Sequence, residues 1–142
     1  MARNLFKVLL IEDNPGDVRL IQEELTDIEA ITLHNINFEL TKANQLSKGL
    51  KCLHDQKIDL ILLDLMLPDS LGIDTFMEVH LYAQKVPIIV LTGINDEKLA
   101  IKAVNEGAQD YIVKGKMDTQ LLMQSIIRAI GKHRVSSKLK KS

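Results

Sequence analysis

The stretch IDLILLDLMLPDSLG, residues 58–72, decides the fold of this chain. It carries a continuous apolar run that ends on Asp64 and is followed at once by the short loop sequence LMLP. A run of this kind, without alternation of polar and apolar residues, is typical of a parallel strand covered on both faces. The stretch therefore predicts a buried strand, Ile58–Asp64, whose last side chain is a carboxylate at the edge of a sheet.

Three further apolar runs end in reactive polar residues. The runs are VLLIED (8–13), IIVLT (88–92) and YIVK (111–114), and their polar ends are Glu12 with Asp13, Thr92, and Lys114. The stretch 33–40 alternates apolar and polar residues instead, which is typical of an edge strand with one exposed face.

Helix signals lie between the strand signals. Asn14-Pro15-Gly16-Asp17 predicts a helix start, because Asn14 can cap the helix, proline suits its first turn and Asp17 favours its dipole. The predicted strands cover 6–12, 33–40, 58–64, 86–92 and 110–114, and the helices after the first cover 43–55, 72–83, 96–107 and 118–134. This alternation predicts an α/β fold with a parallel sheet and right-handed crossovers. Ligands bind such sheets at the carboxyl ends of the strands, where the polar residues lie.

Length and composition fit one globular domain. With 142 residues, 46% hydrophobic and 26% charged, the chain is long enough to bury a core. We predict a domain over 1–134 and a basic tail over 135–142. No apolar stretch approaches the roughly 18 residues of a membrane span, and the N-terminus lacks a signal-peptide pattern. Cys52 is the only cysteine. It therefore has no internal disulfide partner, and we expect a cytoplasmic protein.

The charge is distributed unevenly. Residues 116–142 hold seven of the 18 lysines and arginines and one acid, Asp118, whereas the preceding part is acidic. We favour a solvated helix end for the basic tail, since cations are stabilised near a helix C-terminus. A docking surface for nucleic acid or an acidic partner is the alternative. The acidic body argues against direct DNA binding.

The polar strand ends combine groups that bind a cation with groups that bind an anion. Three carboxylates in one pocket repel one another unless a cation lies between them, and their hard oxygens suit Mg²⁺ or Mn²⁺. Asp64 is the candidate nucleophile, since a carboxylate can attack a phosphoryl group and form an acyl phosphate. Lys114 and Thr92 would then bind phosphate oxygens. The set predicts phosphoryl chemistry.

Four segments of the chain resemble the receiver domain of two-component response regulators. They are LLIEDN (9–14), LLDLMLPDSLG (62–72), LTG (91–93) and AQDYIVKG (108–115). The resemblance covers about residues 5–132 and implies a doubly wound, flavodoxin-like (βα)5 fold with strand order 2-1-3-4-5, as in chemotaxis-Y-like proteins.

The resemblance also implies how the chain works. Asp64 would accept a phosphoryl group from a histidine kinase or phosphotransfer protein. Mg²⁺ (or Mn²⁺) would be held by Glu12, Asp13, Asp64 and the backbone carbonyl of Met66. The chain would not be a conventional enzyme: we expect Mg-dependent self-phosphorylation from phosphodonors.

The remaining roles concern signal output. The resemblance implies that Lys114 contacts the phosphate and that Thr92 and Tyr111 form a switch pair. Their movement would change the surface of the fourth helix, fifth strand and fifth helix, where a downstream protein binds. We favour a single-domain regulator over the receiver part of a longer protein, and the last two helices offer a surface for a homodimer.

Two departures from the family pattern carry consequences. Gly115 stands where most receivers have proline, and a cis peptide before a non-proline residue costs about 3–4 kcal/mol. This favours a trans peptide and a loop positioned differently from that of most receivers, which bears on the reach of Lys114. Met66 and Ile94, which flank the water path to the phosphate in the family, are apolar, so we expect slow self-dephosphorylation.

Other functions remain open as alternatives. The main one is a pseudo-receiver, an interaction module with the same fold that is not regulated by phosphorylation. A phosphatase of the haloacid-dehalogenase type usually has Asp-x-Asp, whereas Asp64 is followed by Leu65 and Met66. A flavin or nucleotide site lacks a glycine-rich phosphate loop here.

Overall fold

Five parallel strands form the central sheet of the computed structural model, which describes residues 5–141, with side chains described up to residue 131. The strands are β1 (Leu5–Ile11), β2 (Asn37–Ala43), β3 (Leu60–Asp64), β4 (Ile88–Thr92) and β5 (Asp110–Val113). Their order is β2-β1-β3-β4-β5, and all neighbours pair in parallel. The predicted doubly wound, flavodoxin-like fold and its strand order 2-1-3-4-5 are confirmed.

Helices cover both faces of this sheet. They are α1 (Pro15–Ile31), α2 (Leu46–Asp55), α3 (Ile73–Tyr82), α4 (Glu97–Asn105) and α5 (Thr119–Lys141). Side chains of α1 and α5 form one core with Leu60 and Leu62 of β3, and side chains of α2, α3 and α4 form the other with Ile61 and Leu63. Both faces of β3 are thus buried, as its unbroken apolar run predicts.

The bounds of the elements agree with the predicted ones to within three residues, except at the start of the second strand and the end of the last helix. The second strand begins at Asn37 rather than 33, because Leu33 and His34 have positive φ angles of 51° and 62° in the turn after α1. The last helix runs to Lys141 rather than ending near 134, so it includes most of the predicted basic tail. The edge position of β2 is confirmed.

Two sets of hydrogen bonds fix the position of the loop after Asp64. A short antiparallel hairpin pairs Met66–Leu67 with Ser70–Leu71, and the Gly72 N–H donates to the Leu65 carbonyl at 2.8 Å. Asp69 accepts hydrogen bonds from the N–H groups of Leu46 (2.7 Å) and Ser47 (3.0 Å) at the start of α2. The bonds from Ser47 and Leu46 lower the pKa of the Asp69 carboxyl below its usual range. Asp69 therefore caps α2 and ties it to the loop that follows Asp64.

Within the part of the chain that the structure describes, no helix combines the length and the apolar character needed to cross a membrane.

Candidate functional site

Three of the predicted carboxylates converge at the carboxyl edge of the sheet. Glu12 and Asp13 follow β1, and Asp64 is the last residue of the adjacent β3. Oxygens of the three side chains lie within 4.8 Å of one another. Glu12 and Asp64 are buried, at 2% and 5% exposure, whereas Asp13 is exposed. Carboxylates so close together favour a bound cation with hard oxygen ligands, and an exposed member leaves it a path from solvent.

Hydrogen bonds orient the two buried acids. The Met66 N–H donates to Asp64 Oδ1 at 3.0 Å, and the Asn14 N–H donates to Glu12 Oε2 at 3.2 Å. Met66, whose carbonyl was predicted as a metal ligand, is thus anchored by its own N–H to Asp64. Its side chain is 43% exposed, so it lies outside the core.

Lys114 reaches this cluster. It follows β5, and its Nζ lies 2.7 Å from Glu12 Oε1, 3.0 Å from Asp17 Oδ2 and 3.2 Å from Asp64 Oδ2. The described residues contain no cis peptide bond, so the Lys114–Gly115 peptide is trans, as its sequence favours. With a trans peptide before Gly115, the ammonium lies within hydrogen-bond distance of the three acids.

The close contacts shift the pKa values of Glu12 and Lys114. Burial and the neighbouring Asp64 carboxylate raise the pKa of Glu12 to about 7, although its bonds with Lys114 and the Asn14 N–H act in the opposite direction. Burial alone would lower the pKa of Lys114. The hydrogen bonds to Glu12 and Asp17 and the charge of Asp64 outweigh burial, so the pKa of Lys114 is raised.

The two predicted switch residues lie on adjacent strands β4 and β5. Thr92 is buried at the end of β4, and its hydroxyl donates to the Gly93 carbonyl at 3.2 Å. The hydroxyl of the partly buried Tyr111 donates to Glu97 Oε2 at 2.7 Å, and this bond raises the pKa of Tyr111. Tyr111 is thereby held against the first residue of α4.

Asp17, which contacts Lys114, is not among the site residues that the sequence predicts. The sequence assigns it to the helix dipole, and the structure confirms the predicted cap, since Asn14 Oδ1 accepts from the Asp17 N–H at 3.1 Å. The available signal was its position. It follows Asp13 by four residues, about one helical turn, in a helix that begins at the same edge of the sheet.

The chain matches the family model described as "Response regulator receiver domain" over residues 8–127. It is 31% identical over 114 residues to a probable C4-dicarboxylate response regulator of Bacillus subtilis, covering 80% of this chain and 48% of that protein. It is 33% identical over 124 residues to the transcriptional regulatory protein CpxR of Klebsiella pneumoniae, covering 87% of this chain and 48% of that protein. The chain thus spans about half the length of these relatives.

Solved structures agree with this match. The signal receiver domain of an HD domain-containing protein from Pseudomonas fluorescens Pf-5 shares the fold with a TM-score of 0.81 and 24% identity, covering 97% of this chain and 95% of that one. The receiver domain of a sensor histidine kinase from Pseudomonas aeruginosa, with a magnesium ion in its active site cleft, has a TM-score of 0.72 and 26% identity, covering 89% and 98%. The chain belongs to the family of response regulator receiver domains.

Proposed function

We propose that this chain is a phosphoacceptor switch in which Asp64 takes a phosphoryl group from a histidine kinase or phosphotransfer protein in a Mg²⁺-dependent reaction. The observation that carries the proposal is the convergence of Glu12, Asp13 and Asp64 at one sheet edge with the Lys114 ammonium beside them. Acids alone would suit a cation only. The ammonium adds a group that can bind a phosphate oxygen.

Asp64 is the proposed nucleophile of the transfer. One of its carboxylate oxygens attacks phosphorus, and the bond from phosphorus to the donor nitrogen breaks, leaving its electron pair on the imidazole, which takes up a proton. The product is an acyl phosphate on Asp64. Lys114 stabilises the added negative charge, as Nζ already lies 3.2 Å from Asp64 Oδ2. Mg²⁺, held by Glu12, Asp13, Asp64 and the Met66 carbonyl, would neutralise the acids and the phosphate oxygens.

The proposed output depends on Thr92 and Tyr111. When the Thr92 hydroxyl turns toward a phosphate oxygen it leaves its bond to Gly93, and Tyr111 can exchange its bond to Glu97 for an inward position. This would shift the populations of two arrangements of α4, β5 and α5. A downstream protein, or a further domain such as those of the longer relatives, would bind to that surface in one of the two arrangements.

The test of this function is the intact mass of the wild-type chain after incubation with acetyl phosphate. We expect a gain of one phosphoryl group with Mg²⁺ and no gain when the metal is chelated. If neither acetyl phosphate nor a panel of phosphorylated histidine kinases adds the group, the pseudo-receiver becomes the better account of this chain.

We predict that Mg²⁺ binding strengthens with pH between about 6 and 8. Because Glu12 has a pKa of about 7 in the metal-free protein, it is mostly protonated at pH 6, and a cation must displace that proton. The proton costs about tenfold in apparent affinity at pH 6 and almost nothing at pH 8. Calorimetric titrations at both values, in buffers of different ionisation enthalpy, measure the affinity and the proton release.

The matched control for this pH dependence is Glu12→Gln, which removes the titrating group from the site. We expect weaker binding by this variant and a flatter pH profile. An unchanged pH profile in the variant would assign the dependence to another group.

We predict that phosphorylated Asp64 loses its phosphoryl group slowly. Met66 and Ile94, which follow Asp64 and Thr92 by two residues, present apolar side chains at the surface, at 43% and 66% exposure, and cannot orient an attacking water. A phosphate-release time course should extend well beyond a minute, and Met66→Asn should shorten it. Loss within seconds from the wild-type chain would contradict the prediction.

A further inference from the structure

Lys114 contacts an acid that lies outside the cluster of the three carboxylates Glu12, Asp13 and Asp64. Its three carboxylate partners are Glu12, Asp64 and Asp17. The first two belong to the set whose oxygens converge for a cation, together with Asp13, whereas Asp17 does not. Among the described acids that contact the ammonium, Asp17 is therefore the one that a bound cation leaves available.

The position of the ammonium depends on these bonds. The Lys114 side chain is 18% exposed, and its three N–H donors are matched by three carboxylate acceptors of the protein. Gly115 follows it, which means that no proline ring restrains the backbone at this point. A cation bound by Glu12 and Asp64 would compete with Lys114 for their oxygens and weaken those two bonds. The bond to Asp17 then decides where the ammonium lies.

Asp17 is suited to this role by its place in the fold. It lies in the first turn of α1, where its N–H donates to Asn14 Oδ1, so its backbone is fixed by the helix cap. Its side chain is 31% exposed, and the carboxylate keeps part of its hydration. Asp17 therefore offers the ammonium a carboxylate on a fixed backbone, outside the set of acids that converge for a cation.

We propose that Asp17 is a positioning residue for phosphorylation, which holds the Lys114 ammonium beside Asp64 while the cation and the phosphoryl group occupy the site. This rests on the proposed phosphoacceptor function. The lysine has three donors, so it can bind a phosphoryl oxygen and keep its bond to Asp17 at the same time. Asp17 thus restrains the Lys114 side chain at a point where Gly115, unlike a proline, does not restrain the backbone.

The first test compares rates of phosphorylation by acetyl phosphate at saturating Mg²⁺. We expect Asp17→Asn to react roughly tenfold more slowly than the wild-type chain, the effect of losing one close charge pair. Asp17→Glu should keep most of the rate. The control is Glu23→Gln, which makes the same change of charge at an exposed position of α1 and should leave the rate unchanged.

A double-mutant cycle tells whether Asp17 acts through the lysine. Lys114→Ala should be slow by itself, and adding Asp17→Asn to it should slow the reaction no further. An equal slowing in both backgrounds would overturn the proposal, because Asp17 would then act independently of Lys114.

The second test measures the chemical reactivity of the Lys114 amine and needs no phosphorylation. Acetylation of Lys114 by acetic anhydride, followed by mass spectrometry in the presence of Mg²⁺, should be faster in Asp17→Asn than in the wild type or in Glu23→Gln. A phosphorylation rate and a labelling rate that both equal the wild-type values would overturn the proposal. A wild-type chain that accepts no phosphoryl group would instead overturn the proposed function.

Discussion

Asp64→Asn is expected to abolish phosphorylation by acetyl phosphate and to weaken Mg²⁺ binding by about tenfold or more, which corresponds to about 1.4 kcal/mol. The substitution removes the proposed nucleophile and one of three anionic ligands. It leaves the carbonyl oxygen that accepts from the Met66 N–H, so the loop after β3 keeps its hydrogen bond. Intact mass after incubation with acetyl phosphate measures the first effect, and calorimetric titration measures the second.

The control for this prediction is Asp55→Asn, which makes the same chemical change at the exposed end of α2. It should gain one phosphoryl group as the wild type does. A gain of mass by Asp64→Asn that matches the wild type would contradict the assignment of Asp64, provided that circular dichroism shows the variant to be folded.

The largest expected effect on stability is that of Phe76→Ala, about 3–5 kcal/mol. Phe76 is fully buried in the core beneath α3 and stacks on His80 with ring centroids 5.2 Å apart and 15° between the planes. Removing the ring leaves a cavity in a closely packed interior. Since domains of this size are stable by about 5–15 kcal/mol, the variant should lose a large part of its free energy of unfolding.

Urea unfolding at equilibrium measures the loss, and Met77→Ala is the matched control. Met77 is the next residue of the same helix and is 42% exposed, so its truncation should change the free energy of unfolding by only about 0.5 kcal/mol. A loss below about 1 kcal/mol in Phe76→Ala would mean that the core under α3 is packed more loosely than described.

The central sheet and the carboxylate cluster were predictable from the sequence for the same reason. Strands that are buried on both faces leave continuous apolar runs, and the residue that ends such a run lies at the carboxyl edge of the sheet. The sequence therefore identifies Asp64, Glu12 and Lys114 as strand ends, and the structure brings their side chains together. The roles of Asp64, Thr92 and Tyr111 in signalling stay proposals.

Contacts between side chains from distant segments were not predictable in this way. Asp69 caps α2 across more than twenty residues, although Gln45 precedes the helix and makes no side-chain cap bond of its own. In the sequence, Asp17 is an ordinary acid in the first turn of α1, and its bond to Lys114 depends on how α1 approaches β5. Neither contact leaves a periodic pattern in the sequence. Each depends on the packing of complete elements against one another.

The local turn after α1 was missed for a different reason. Leu33 and His34 adopt positive φ angles, which residues other than glycine rarely do, and no glycine or proline marks the turn. The alternating pattern therefore predicts a strand that starts too early along the chain, whereas β2 begins at Asn37.

The central claim, that Asp64 carries the phosphoryl group, is tested most directly by locating the acyl phosphate in the chain. Borohydride reduces an aspartyl phosphate to homoserine, and peptide mapping by mass spectrometry then identifies the residue. After phosphorylation with acetyl phosphate and Mg²⁺, we predict homoserine at position 64. The reduced alcohol at position 12 or 13 instead, or phosphate on a side chain that borohydride leaves intact, would contradict the account.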